Sequence, residues 1–333
     1  MYFQTSNTAG FRRLVLAGGA AAFLLLLLRT AWLDDDAYIT FRTVDNFLNG
    51  FGLRWNVANR VQAFTHPLWM FAVAAAAAIG GEVYFSSLAV SIVVSLAAVT
   101  LAASRIASTL PMAVLVFSSL ALSKAFVDYS TSGLENPLTH LLLVGFFLGL
   151  VSDLPRSRRL LVLSLSTALL MVNRFDTGVL VLPALAVAIW QAGWRAALVP
   201  VAVGMIPLMA WEVFSVVYYG FPFPNTAYSK LKTGVPAPEI HYQGFLYLLD
   251  SISNDPLTLF VIAGAILSPL AFGGGWSLPL GIFFYLVYVV RVGGDFMSGR
   301  FLTAPFLVSV LWLSRNQVPE FRGAWVFAMA VVG

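Results

Sequence analysis

From Leu14 to Leu28, and again from Tyr84 to Ser104, the chain runs without one charged side chain, and shorter apolar runs recur along its length. That pattern constrains the fold more than any other feature. A helical crossing of a bilayer takes about 20 apolar residues. A backbone group left unpaired in hydrocarbon costs several kcal/mol, so spans must be helices or a closed barrel. Continuous rather than alternating apolarity selects helices. Only 10% of the 333 residues are charged and 59% are hydrophobic, too apolar for a soluble core to hide. The expected fold class is an all-α polytopic membrane protein.

The absence of cysteine excludes disulfides, thiolate metal sites and cysteine nucleophiles. Lysines and arginines stand at the ends of apolar segments with no basic run interleaved with aromatics, which argues against a nucleic-acid partner. Residues 1–13 read as a polar cytoplasmic tail in which Tyr2-Phe3-Gln4 could be a tag remnant. Candidate spans are 14–33, 84–104, 110–127, 138–152, 159–173, 177–193, 196–217, 256–272, 276–290 and 301–314. The apolar run opening at Ala324 is too short to cross, so 14–333 is expected to be a transmembrane domain that continues into a further helix and a soluble domain.

Pro67 to Gly81, with its five-alanine run, is short for a span. If it does not cross, and Arg12 and Arg13 hold the amino terminus in the cytoplasm, then Arg105, Arg156, Arg158, Arg159, Arg195, Arg315 and Arg322 all fall inside, as the positive-inside bias requires. If it crosses, every later loop inverts and the Arg156–Arg159 loop faces outward. The non-crossing arrangement is therefore expected. It puts the polar loops 34–66, 128–137, 173–176, 218–255 and 291–300 together on the outer face of an inner membrane. Intramembrane and interfacial charge gathered on one face points to function.

Those loops carry the chemistry. Asp34-Asp35-Asp36 ends the first span. Mutual repulsion and desolvation raise carboxylate pKa values, which suits a general base, and the trio could also hold a divalent cation, though nothing in the sequence demands one. Against this stands a plain acidic cap at the membrane surface. Arg42, Arg60 and His66 follow in the same loop. Glu135 precedes Asn136-Pro137, where a helix dipole favours a carboxylate and simple capping is the bland alternative. Arg174 and Asp176 mark another helix end, where an exposed ion pair would contribute little. Lys230 closes an aromatic, proline-rich loop, as a substrate-binding or merely snorkelling lysine would. Arg291-Val-Gly-Gly-Asp295-Phe-Met-Ser-Gly-Arg300 joins two glycines, for close backbone approach, to two arginines that could clamp a phosphate. His140 lies inside a span and is expected to be a hydrogen-bonded core residue.

In order and spacing these segments resemble the GT-C superfamily of membrane glycosyltransferases that use polyprenyl-phosphate sugars. They look most like the terminal β-(1→2)-arabinofuranosyltransferases of mycobacterial cell-wall arabinan. The resemblance is carried by Asp35-Asp36 with Arg42, then Asn49-Gly50, Asn56, Arg60-Val61 and Thr65. It continues through Thr131-Ser132-Gly133-Leu134-Glu135, Arg174 with Asp176, and Tyr218-Tyr219-Gly220 with Pro224, Thr226-Ala227 and Lys230. It ends on Gly293-Gly294-Asp295-Phe296-Met297 with Gly299-Arg300. Asp176 departs from the glutamate those enzymes tend to carry, and the residues around His66 differ.

The resemblance implies a GT-C helix bundle with juxtamembrane helices in the long first outer loop. It implies a polyprenyl-phosphate sugar donor, best read as D-arabinofuranose, and a glycan acceptor such as the arabinan of arabinogalactan or lipoarabinomannan. Asp35 or Asp36 would act as the base. Arg42, Lys230, Arg291 and Arg300 would meet the donor phosphate, with Glu135, Arg174, Asp176, Asp295 and His66 completing the substrate site. Transfer with retention would instead make one aspartate a nucleophile. The rival from another class is a transporter or flippase of a lipid-linked sugar, but transporters place ionisable groups near the bilayer midplane, where these spans carry almost none.

Overall fold

The computed structural model describes residues 3–231 and 234–316; the side chains of residues 3–9, 229–231 and 272 lie outside that description. In chain order the helices are α1 (Phe3–Thr30), α2 (Ala37–Leu48), α3 (Pro67–Gly80), α4 (Val83–Leu101), α5 (Leu110–Leu122), α6 (Lys124–Asp128), α7 (Asn136–Leu150), α8 (Arg156–Asn173), α9 (Thr177–Ala192), α10 (Trp194–Gly204), α11 (Ile206–Tyr219), α12 (Asn225–Leu231), α13 (Ala237–Asn254), α14 (Pro256–Phe272), α15 (Ser277–Arg291) and α16 (Thr303–Asn316). A π-helical turn, Ala102–Ile106, extends α4, and a 3-10 turn, Arg300–Leu302, opens α16. No strand occurs among the described residues. Helices occupy every expected span.

Local chemistry sets the breaks. The run expected over 110–127 divides at Ser123, whose hydroxyl accepts the Phe126 amide and starts α6. The run over 196–217 bends by 52° at Met205, between α10 with its internal Pro200 and α11 with Pro207 in its first turn. Among the described residues, two helical stretches are by themselves long and apolar enough to cross a membrane, Gly10–Thr30 and Val83–Ile106. The α10–α11 pair and the α13–α14 pair, bent by 113°, reach that length only when each is taken together. α1 begins at Phe3, well ahead of the expected Leu14, so most of the supposed tail is helical. α13 falls in a stretch expected to be a loop. The run from Ala324 onward lies outside the described residues, as do Arg322 and Glu320.

The bundle has two chemically distinct ends. At one, Arg12 donates to the Ser104 carbonyl, Ser108 bonds the Ser314 carbonyl, and Arg159 donates to the Leu150 carbonyl. At the other, the end of α1, the starts of α3, α7, α9 and α16 and the ends of α8 and α15 converge. α4 and its π turn hold 24 residues, about 36 Å of helix at about 1.5 Å per residue, and they finish at the Arg12 end. α3 starts at the acidic end, beside His66, and is followed directly by α4, whose mid-helix Ser95 donates to the Ser130 carbonyl at 2.9 Å.

Candidate active site

Glu135 is the hub of the acidic end. It occupies the N-cap position of α7, yet its side chain caps nothing. Both carboxylate oxygens accept from Arg300 Nη2, at 3.1 and 3.2 Å, and Oε2 lies 3.2 Å from His66 Nδ1. Arg174 Nε stands 3.8 Å from Oε1. The Glu135 residue is 2% exposed, and burial alone would push its carboxyl up. Arg300, the hydrogen bond and charge of His66, and Arg174 outweigh that and hold it well below the usual carboxylate range. The carboxylate can only accept, so His66 Nδ1 donates to it, and Nε2 on the other side of the ring lies 2.6 Å from the Thr40 hydroxyl.

Two branches leave the hub. Arg300 Nη1 donates to Asp295 at 3.3 Å. Arg174 grips Asp176 through Nε and Nη2, at 2.9 and 3.0 Å, and stacks its guanidinium 4.8 Å over Phe301. Tyr285 closes that branch, accepting from Arg174 Nη2 at 2.9 Å and donating to Asp176 at 2.5 Å. The Arg174–Asp176 pair is local, as the sequence suggests, but buried rather than exposed. Arg174 Nη1 and Arg300 Nε are buried without a hydrogen-bond partner among the described residues, as are Asn136 Oδ1, Asn173 Oδ1 and both His140 nitrogens. His140 is thus stacked on Phe126 instead of hydrogen-bonded as expected. Buried polar atoms are rarely left unpaired in such numbers, and a polar ligand or water would satisfy them.

The aspartate trio docks against the segment leading into Glu135. Gly133 makes this possible: its φ is +77°, and a Cβ there would lie 2.8 Å from the side chains of Ala37 and Leu33. Asp34 N donates to the Ser132 carbonyl at 2.9 Å, and Trp69 Nε1 to the Gly133 carbonyl at 2.7 Å. Asp34 is buried, Asp36 half-buried and Asp35 exposed, with carboxylate oxygens all within 4.8 Å of one another. Asp34 and Asp35 each accept the Asp36 amide at 3.0 Å. The Asp36 side chain makes no cap bond. Burial raises the Asp34 carboxyl; the bond from the Asp36 amide opposes this, and the neighbouring Asp35 and Asp36 add to the rise.

Six of the expected site residues therefore meet: His66, Glu135, Arg174, Asp176, Asp295 and Arg300. Two do not join them, and a third lies outside the described side chains. Arg42 turns to the Trp55 carbonyl at 2.9 Å and lies 4.3 Å over the Trp55 ring. Arg291 is exposed at the end of α15 and pairs with no acid among the described residues, so it forms no clamp with Arg300. The Lys230 side chain lies outside the described residues. Gly293 and Gly294 admit α13 rather than a ligand: Cβ atoms there would lie 3.1 Å from Ile240 and 2.5 Å from the Tyr247 ring. Thr40, Tyr285 and Tyr247 escaped the sequence reading. Tyr285 sits in the apolar run Ile282-Phe283-Phe284 with no polar neighbour to flag it.

In fold, 97% of the chain superposes on 63% of ArnT from Cupriavidus metallidurans bound to undecaprenyl phosphate, with a TM-score of 0.65 at 14% identity. The apo form of that protein gives 0.64 at 15% identity. The chain has the GT-C membrane fold. No family model matches the sequence. It is similar to two curated proteins, each a terminal β-(1→2)-arabinofuranosyltransferase. One, from Corynebacterium glutamicum, is 30% identical over 90% of this chain and 50% of its own length. The other, from Mycobacterium tuberculosis, is 27% identical over 82% of this chain and 51% of its own length. This GT-C chain thus spans about half the length of the curated relatives it matches.

Proposed function

We propose that the chain is a membrane glycosyltransferase that moves a sugar from a polyprenyl-phosphate donor to a cell-envelope glycan on the outer face of the plasma membrane. Arabinofuranose is the sugar that the relatives' names favour, and arabinan is the acceptor this reading assigns. The observation that carries the reading is the pair of buried arginines at the acidic end, each keeping one unpaired guanidinium nitrogen beside Glu135. The name of the solved neighbour adds a bound undecaprenyl phosphate in the same fold.

The hub is close to charge-compensated: Arg174, Arg300 and His66 face Glu135, Asp176 and Asp295. Its role is to fix two donors in place in a dry setting, where they act strongly on charge that develops as the donor leaves. Arg42, Arg291 and Lys230 are assigned as further cations for the phosphate, as the resemblance implies. The acceptor hydroxyl oxygen attacks the anomeric carbon and its proton passes to a carboxylate of the trio. The bond from the anomeric carbon to phosphate oxygen breaks, and its electron pair leaves with the polyprenyl phosphate. Asp36 is the best placed base, since Asp34 and Asp35 are both engaged by its amide; Asp35 is the second choice.

The test is transfer from polyprenyl-phosphate arabinofuranose to a short arabinan acceptor by purified protein in nanodiscs, beside Asp35→Asn and Asp36→Asn. Product that disappears in either variant, with donor binding intact, supports the reading. Failure of the unmodified protein to bind the donor overturns it.

A further inference from the structure

The basic end of the bundle holds a recess of about 280 Å³ where the ends of α7, α9 and α16 meet the starts of α8 and α15. Its floor is apolar, with Phe147, Ala188 and Trp312, and its walls carry Arg159, Arg315, Gln191 and Asn316. No acidic side chain lines it. Among the described residues neither arginine forms an ion pair, and both stand over the apolar floor without a carboxylate partner.

The arginine geometry is prepared rather than loose. Arg159 Nη2 is tied to the Leu150 carbonyl at 2.6 Å, while Nε of the same guanidinium is buried and has no partner. A fixed, unpaired N–H in a cleft lined by a second cation is suited to a phosphate oxygen. Trp312 is held by its indole bond to Ser268 Oγ at 2.9 Å, which keeps the floor in place. The recess also opens sideways. Val187 on its wall is 38% exposed, and Trp190, one turn further along α9, is 82% exposed. In a membrane protein such a flank meets acyl chains, and a tryptophan belongs at headgroup level.

We propose that this recess binds the headgroup of an anionic phospholipid, its phosphate on Arg159 and Arg315 and its acyl chains along the Val187–Trp190 flank of α9. It lies at the opposite end of the bundle from the Glu135 hub, so it is a second site and not an extension of the first. Basic pockets between spanning helices at a cytoplasmic surface take such lipids on the same physical grounds.

The test uses the full chain in phosphatidylcholine nanodiscs doped with phosphatidylglycerol, with lipid retained after detergent extraction counted by native mass spectrometry. Arg159→Gln and Arg315→Gln should each lower retained phosphatidylglycerol about fivefold, the loss expected for one cation beside an anionic headgroup. Arg315 makes no hydrogen bond to the described residues, so its variant reports binding even if Arg159→Gln is poorly folded. Arg158→Gln, an exposed neighbour outside the recess, should change nothing. Equal loss in Arg158→Gln, or none in Arg315→Gln, overturns the proposal. So does thermal stabilisation by inorganic phosphate alone that matches phosphatidylglycerol, because the ligand would then be a free anion. Retention is read without any transfer reaction, so its failure leaves the transferase reading untouched.

Discussion

Arg300 reaches across 165 positions of sequence to place one guanidinium nitrogen between the two carboxylate oxygens of Glu135, at 3.1 and 3.2 Å, with the carboxylate fully buried. The pair ties the start of α7 to the start of α16, and His66 ties both to the start of α3. A buried pair of this kind contributes little net stability, yet removing one partner strands a charge. Glu135→Ala and Arg300→Ala should each destabilise by about 3–5 kcal/mol, read as a loss of thermal stability in detergent. The double variant Glu135→Leu/Arg300→Met should recover much of that stability and none of the transfer activity. Equal instability in the double variant would show that the apolar replacement does not pack.

The hub and the trio pull the pH dependence of stability in opposite directions. The folded state depresses Glu135, so below the ordinary carboxylate value of about 4.3 the unfolded chain binds more protons. The stability contributed by Glu135 is complete above that value and is lost as pH falls toward the depressed one. Thermal stability should hold from neutral pH to about pH 5 and drop below it. The drop should be shallower in Glu135→Gln, and an unchanged slope there would remove Glu135 as its cause.

Asp34 has the opposite sign. Its folded carboxyl is raised by burial and by its acidic neighbours, so the stability it contributes is present in acid and lost as pH rises through the raised value. Asp34→Asn keeps an oxygen to accept the Asp36 amide and removes the charge. It should raise the melting temperature at neutral pH and give no gain near pH 4, which a pair of thermal scans would settle.

Asp36→Asn should lower kcat by about 10²–10⁴, the range for loss of a general base, with the KM for the donor nearly unchanged. A rise in KM with kcat preserved would make Asp36 a binding group. Asp35→Asn, at the exposed member of the trio, should have the smaller effect.

Gly294 combines φ of +71° with a Cβ position 2.5 Å from the Tyr247 ring. Gly294→Ala should cost on the order of 1–3 kcal/mol and displace the Asp295–Arg300 turn. Activity should fall more than stability, because Tyr247 also bonds the Met297 carbonyl and the Phe301 amide, at 3.3 and 3.0 Å. Activity and melting temperature measured on one preparation would separate the two effects.

Hydrophobic length and the placement of arginines already determined much of this protein. Continuous apolar runs can only be helices in lipid, because no water is there to satisfy a bare backbone. Arg12 and Arg13 before the first span and Arg105 after α4 favour an even number of passes between them, and hence a non-crossing Pro67–Gly80 segment. Most of the site was legible as well, since charged groups in an apolar chain are few enough that nearly every one stands out. Pairing was not legible. The sequence offers Arg291 and Arg300 as equivalent clamps, but Gly299, at φ +74°, turns the chain so that only Arg300 enters the bundle. Tyr285 looks like any aromatic in a span until α15 packs on α9 and brings its hydroxyl to Asp176. Adjacent aspartates look interchangeable until the close approach allowed by Gly133 buries Asp34 and leaves Asp35 in solvent. In each case a polar side chain's partner is contributed by another helix, and which helix that is depends on packing that local sequence does not encode.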